Sequence, residues 1–209
     1  PLSIAKKNGH SAVVALLEAK AAEERRQRLA AEAQAAEAER RRSSAQDMAS
    51  MSLFDACSRG RRDIVQAWLD RGADANSMYA HGVTPLHVAC HQGHVDAARL
   101  LLDRGAEVDR ATETGATPLY VACGNGHVDA ARLLLDKSAE VDRANNWGAT
   151  PLFIACQDGR VDAARLLLEK GADINRADRD CRTPLFIACE KGHVDAARLL
   201  LDKGAKGNR

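Results

Sequence analysis

Five of the six cysteines, Cys57, Cys90, Cys123, Cys156 and Cys189, follow one another at intervals of 33 residues. A spacing that regular belongs to a repeat rather than to a disulfide framework, so the chain is read as copies of one unit. The flanking residues agree: TPLHVAC begins at Thr84, TPLYVAC at Thr117, and TPLFIAC at both Thr150 and Thr183, each followed by a Gly and then by VDAARLLL. A fifth, degenerate copy precedes these four. Leu53 is in phase with Leu86, and LFDACSRGRRDIVQAWLDRGADAN keeps the apolar pattern, with Met51 and Ser52 standing where the other copies have Thr and Pro. Aromatic residues are only 3% of the chain, which points away from one large globular core and towards a regular stack of small side chains.

Each unit reads as two short antiparallel helices and a hairpin-like turn. Thr84 caps the first helix and Pro85 occupies its first turn, where its missing N–H costs nothing. Leu86, Ala89 and Cys90 form a narrow apolar stripe, and Gly93 ends the helix in a left-handed conformation. The second helix is expected to bury Val95, Ala98, Leu101 and Leu102, to carry Asp96, Arg99 and Asp103 outside, and to stop at Gly105. Helices this short are marginal in isolation, so the copies must stack until their Leu, Val and Ala columns become continuous.

TPLHVAC, the Gly93-His94 turn, the LLL run and Gly105-Ala106 together resemble the ankyrin repeat. The resemblance covers residues 51–209, and PLSIAKKNGHSAVVALL at the start resembles a further piece of a repeat. It implies an all-α solenoid of helix-turn-helix pairs joined by β-hairpin-like loops. The expected organisation is a partial repeat at 1–20, a charged Ala-rich helix or linker at 21–50, and a degenerate, cap-like repeat at 51–81. Full repeats follow at 82–114, 115–147 and 148–180, with an incomplete one at 181–209.

Leu2 and Leu53 are one period plus 18 residues apart, which marks the stretch between them as an insert. From Ala21 to Arg42 it has neither Gly nor Pro, Leu29 is its only large apolar residue, and Glu24–Arg28 and Glu37–Arg41 are spaced by four. A largely solvated helix is expected, because a coiled coil needs apolar heptads and a membrane-surface helix needs an apolar face. Arg40-Arg41-Arg42 reads as its solvated end, with contact to an acidic partner or an import signal as the alternative. Pro1 without a preceding Thr, and Gly207 in the place of Val108, suggest a piece of something longer.

The chain holds 30 Lys and Arg against 29 Asp and Glu, so no bulk positive field points to nucleic acid. No apolar run approaches the roughly 20 residues of a spanning helix, so membrane insertion is not expected. His87, Cys90, His91 and His94 have suggestive metal spacing, but His87 and His94 are frame positions and Cys90 recurs in every unit, so neither a metal nor a cofactor is expected. The in-phase cysteines are read as small buried hydrophobes, while Cys181, in the place of Gly82, Gly115 and Gly148, is expected at the surface. With no phosphate loop, HExxH or separate carboxylate pair, an enzyme is not expected. Six unpaired thiols without a secretory leader fit an intracellular, cytoplasmic or nuclear protein.

If frame positions are structural, specificity lies where the copies differ. At the hairpin tips these positions are Ala80-His81, Glu113-Thr114, Asn146-Trp147 and Arg179-Asp180, with Val83, Ala116, Ala149 and Arg182 just beyond. On the first helices they are His91-Gln92, Gly124-Asn125, Gln157-Asp158 and Glu190-Lys191. The resemblance implies that such positions form a concave surface for other proteins, bound by a monomeric chain. Trp147 is the leading candidate, with a fold-back over its hairpin as the alternative. The column His87, Tyr120, Phe153 and Phe186 offers either packing between units or ligand contact, with Tyr120 and Phe153 counted among the contacts. The context of Asn175 resembles that of ankyrin asparagines that undergo hydroxylation, and hydrogen bonding of its hairpin is the alternative. Ser138, in the place of a helix-ending Gly, and Arg160, in the place of the turn His, are expected to weaken their units. Two other readings stay open: a regulatory fragment of a larger enzyme or channel, and an inert or designed stack.

Overall fold

The computed structural model describes residues 11–207, except for the side chains of residues 40–49, and divides into two units between Ala49 and Ser50. The described residues of the first unit lie in a single helix, α1 (Ser11–Ser50), whose 40 residues include no Gly or Pro. Propensity forms it rather than burial, since Val13, Leu16 and Leu29 are all exposed. The described part of the repeat-like piece expected at 1–20, from Ser11 onward, opens α1 without a turn before the insert. Among the described residues no helix is long and apolar enough to cross a membrane.

The second unit is five helix pairs: α2 (Leu53–Ser58) with α3 (Arg62–Asp70), α4 (Pro85–His91) with α5 (Val95–Asp103), α6 (Pro118–Asn125) with α7 (Val128–Asp136), α8 (Pro151–Gln157) with α9 (Val161–Glu169), and α10 (Pro184–Glu190) with α11 (Val194–Asp202). Inner helices α2, α4, α6, α8 and α10 pack side by side, and the outer helices form a second row behind them. Thr84, Thr117, Thr150 and Thr183 each accept an N–H from the third residue of the following helix, as expected of caps, and Ser52 does the same for α2. Trp68 on α3 donates its indole N–H to the Met51 carbonyl at 3.0 Å.

The outer stripe differs from the expectation. In α5 the buried residues are Ala97, Ala98, Leu100 and Leu101, while Val95 and Leu102 are only half-buried. At about 100° per residue the four buried side chains share one arc, and Val95 and Leu102 both fall past its Ala98 edge. The thiol column also departs at one end. Cys57, Cys90, Cys123 and Cys156 are buried, and burial pushes the Cys57 and Cys156 thiols up to about 12, which leaves them inert. Cys189 is exposed, because no further inner helix of the described chain packs over α10.

Two periodic devices join neighbouring units. The first is a ring seated on a glycine: His94 Nε2 donates to the Ser58 carbonyl at 3.0 Å and His127 Nε2 to the His91 carbonyl at 2.9 Å. A Cβ on Gly93 would stand 2.5 Å from His127 Nδ1, so the seat requires glycine. Arg160, expected to loosen its unit, preserves the device by donating its Nε to the Gly124 carbonyl at 3.1 Å. The second is a side chain that receives the next unit's backbone: Asn76 accepts from Glu107 N, Asp109 from Glu140 N, Asp142 from Asp173 N and Asn175 from Lys206 N.

On the outer row, Arg104, Lys137 and Lys170 pair with Asp70, Asp103 and Asp136 of the preceding unit at 2.8, 2.8 and 2.9 Å. These bonds hold the three carboxyls below the usual carboxylate range. Within one outer helix, by contrast, Asp195 and Arg198 come no closer than 3.9 Å.

Candidate protein-binding face

The hairpin tips form a row in front of the inner helices. Each closes on two backbone bonds: Tyr79 N to the Val83 carbonyl, Thr112 N to Ala116, Asn145 N to Ala149 and Asp178 N to Arg182, with Gly82 N, Gly115 N, Gly148 N and Cys181 N returning to the carbonyls of Tyr79, Thr112, Asn145 and Asp178. Adjacent tips are joined by one more: Glu113 N donates to His81 O, Asn146 N to Thr114 O and Arg179 N to Trp147 O, each at 2.9 Å. With so few bonds, hairpin-like loops exist without a β-strand among the described residues.

The tip side chains at His81, Glu113, Thr114, Asn146, Trp147, Arg179 and Asp180 are exposed. His81 Nδ1 lies 3.2 Å from the Glu113 carboxylate. Trp147 is 58% exposed and does not fold back. Its N–H donates to Asn145 Oδ1 and its carbonyl accepts from Arg179, so the backbone is held while the indole stays in water. Cys181 is exposed in a left-handed conformation, φ 61°.

On the inner helices His91, Gln92, Asp158, Glu190 and Lys191 are exposed, while Asn125 and Gln157 are half-buried. The Asn125 amide donates to the Val121 carbonyl at 2.9 Å. His87 belongs to the frame: Nδ1 accepts the Thr84 N–H at 3.2 Å and Nε2 donates to the Ala116 carbonyl at 3.1 Å. Burial lowers its pKa, against the opposing pull of the Ala116 bond. With His87 and His94 both engaged on carbonyls and Cys90 buried, the metal-like spacing of this helix does not converge on a point. Asn175 is half-buried, with its Oδ1 taken by Lys206 N at 2.9 Å.

The aromatic column behaves differently at each level. Phe153 is 2% exposed and lies under the Arg182 guanidinium, so it is a packing residue and offers no surface to a partner. Arg182 is itself engaged, donating to Asp178 Oδ2 from both Nε and Nη2. Those bonds outweigh burial and hold the Asp178 carboxyl below its usual value. Tyr120 is half-buried and its hydroxyl accepts from Asn145 Nδ2 at 3.2 Å; burial pushes the phenol up to about 12. Phe186 is 43% exposed on α10.

The first inner helices carry a cleft that the sequence did not single out. It encloses about 300 Å³ over α4, between Phe54, Val83, Val88 and Val121, with Thr112, His91 and Gln92 at its edges. Val83, His91 and Gln92 were expected at the surface, but Phe54, Val88, Thr112 and Val121 were missed. Phe54 carried a usable signal, since it is in phase with His87, Tyr120, Phe153 and Phe186. Its ring lies 4.4 Å from that of Tyr79.

A search of curated proteins gives no match. A family model described as ankyrin repeats, in three copies, matches residues 53–145 and 138–209. The match spans the period, the capped inner helices and the ring-on-glycine seats, and the chain belongs to the ankyrin-repeat family.

Proposed function

We propose that this chain is a non-catalytic binding scaffold that holds another protein against its hairpin tips and inner helices. Ankyrin repeats are generally protein–protein interaction modules. The observation that carries the reading is Trp147, a large amphipathic side chain kept in water on a backbone bonded at both sides. Such an indole costs little entropy when a partner covers it. The accessible set is His81, Val83, His91, Gln92, Glu113, Thr114, Asn125, Asn146, Trp147, Gln157, Asp158, Arg179, Asp180, Glu190 and Lys191, with Tyr120 at its edge. Phe153 and the engaged Arg182 support the face from beneath. The mechanism is presentation by a frame already ordered before binding, which lowers the entropic cost of association. The buried thiols of Cys57, Cys90, Cys123 and Cys156 suit a reducing compartment such as cytosol or nucleus.

The test is capture from a cell lysate by the whole chain and by a triple variant, Trp147→Ala, Asn125→Ala and Gln157→Ala, with bound proteins identified by mass spectrometry. Partners lost with the variant support the reading. Equal capture by both chains refutes it.

A further inference from the structure

A protein that settles on Trp147 also covers the charges around it, and those charges are not all balanced within the fold. In the accessible set, Glu113 lies against His81 at 3.2 Å, Asp180 against Arg182 at 3.0 Å, and Glu190 and Lys191 reach each other at 4.0 Å. Asp158 and Arg179 are left over. Among the described residues the Asp158 carboxylate receives only the amide of its neighbour Gln157, at 3.4 Å, and the exposed Arg179 guanidinium meets no carboxylate.

These two groups end one run of contacts. Burial raises the Tyr120 phenol and the Asp158 carboxylate adds to it, so the carboxylate stands near that ring. The Tyr120 hydroxyl accepts from Asn145 Nδ2 at 3.2 Å, and Asn145 Oδ1 accepts the backbone N–H of Trp147 at 2.9 Å. The Trp147 carbonyl in turn accepts the backbone N–H of Arg179 at 2.9 Å. An anion at the end of α8, an indole, and a cation at the next tip therefore follow one another on backbone that is already bonded. Access to the anion depends on Gly124. A Cβ there would stand 3.5 Å from Asp158 Oδ2 and 3.0 Å from Ile154 Cγ1, whereas the levels on either side carry His91 and Gln157 at this phase. The glycine keeps a longer side chain off the carboxylate.

Desolvation then decides what fits. A paired charge keeps its counter-charge when it is covered, but a lone one loses its water for nothing unless the guest brings the opposite sign. A guest that is acidic throughout is rejected at Asp158, and one that is basic throughout at Arg179.

Resting on the scaffold reading, we propose that this face binds a dipolar segment of another protein, with a Lys or Arg opposite Asp158, an apolar side chain on the Trp147 indole and an Asp or Glu opposite Arg179. The probe is a phage-displayed library of random dodecapeptides, panned on the whole chain. Enriched peptides should carry a basic residue, an aromatic residue or leucine, and an acidic residue, with the two charges on opposite sides of the apolar one. The best of them, synthesised with both ends blocked, should bind at least about tenfold more weakly to Asp158→Lys and to Arg179→Glu. Reversing the facing charge of the peptide should restore each loss. Glu113→Gln and Lys191→Gln, whose charges are already paired, should change the affinity by less than about threefold. All four sites are exposed, and thermal unfolding checks that each variant is folded. Absence of enrichment, peptides without that charge order, reversals without effect, or losses that the reversed peptides do not restore each overturn the inference. If it falls while the Trp147 triple variant still loses its captured partners, the scaffold reading stands. If those partners are kept as well, the reading beneath it falls too.

Discussion

The VDAARLLL helices and α1 use much the same alphabet of Ala, Leu, Arg and acidic residues, yet they hold their shape for different reasons. In α7, Ala130, Ala131, Leu133 and Leu134 are buried between the inner row and the neighbouring outer helices. In α1, every described side chain from Glu18 to Glu39 is exposed. Helix propensity alone therefore sustains α1 over 40 residues, whereas the nine-residue α7 exists because its neighbours cover one arc of it. The contrast teaches that order of Leu within the period, rather than content of helix formers, distinguishes a structural unit from a solvated rod.

The sharpest way to break this comparison is to truncate one leucine in each region. Leu134→Ala, fully buried, should cost about 3 kcal/mol in urea unfolding of the whole chain, and Leu29→Ala less than about 0.5 kcal/mol. Similar losses at both sites would show that α1 is stabilised by burial after all.

A smaller effect distinguishes frame from surface among the histidines. The buried His87 is neutral in the fold, with its pKa lowered below 6.5 and Nδ1 already accepting a backbone N–H. A lowered folded value means that its contribution is complete above the unfolded value and is lost as pH falls through the folded one. As pH falls from 7 towards 5 the chain should therefore lose more stability than His87→Tyr, the residue of the next unit at this phase. Parallel stability curves for the two chains would remove His87 from that role.

Asp109 supplies the next comparison, within the column that receives each following unit. Asn76 accepts from Glu107 N and donates its amide to the Gly105 carbonyl at 2.9 Å, whereas Asp109 Oδ1 is buried with no partner. Burial raises the Asp109 pKa, with the adjacent Glu140 adding to it, so the ionised form destabilises the fold above the unfolded value near 3.8. Asp109→Asn should stabilise the chain by about 1 kcal/mol at pH 7. The gain should shrink as pH falls through the raised value and Asp109 takes up its proton; a gain independent of pH would contradict this cause.

The smallest expected change is Ser138→Gly. Ser138 adopts φ 67° where Gly105, Gly171 and Gly204 adopt 87–89°, and relief of that strain should add about 0.5–1 kcal/mol. An unchanged or lower melting midpoint would show that the serine is unstrained there.

The period, the Thr-Pro caps and the left-handed Ser138 were legible in the sequence because each depends on neighbours within a few residues. The fate of Cys189 was not, since its burial requires an inner helix on its far side rather than any property of TPLFIAC. Val95 and Leu102 were misplaced for a related reason: apolar identity does not say which two neighbours a helix must face at once. The cleft over α4 was least legible. Its walls come from α2, α4, α6 and the hairpin residues Val83 and Thr112, so no single stretch of sequence carries it.

The ring-on-glycine seats have a mechanical corollary. Because His94, His127 and Arg160 each grip the unit before them, tension along the chain loads these contacts one after another. A stretched array should shed units from an end, each releasing about 33 residues or roughly 110 Å of slack. Such a protein yields as a ratchet of equal steps, giving length under load while the remaining units keep their face intact.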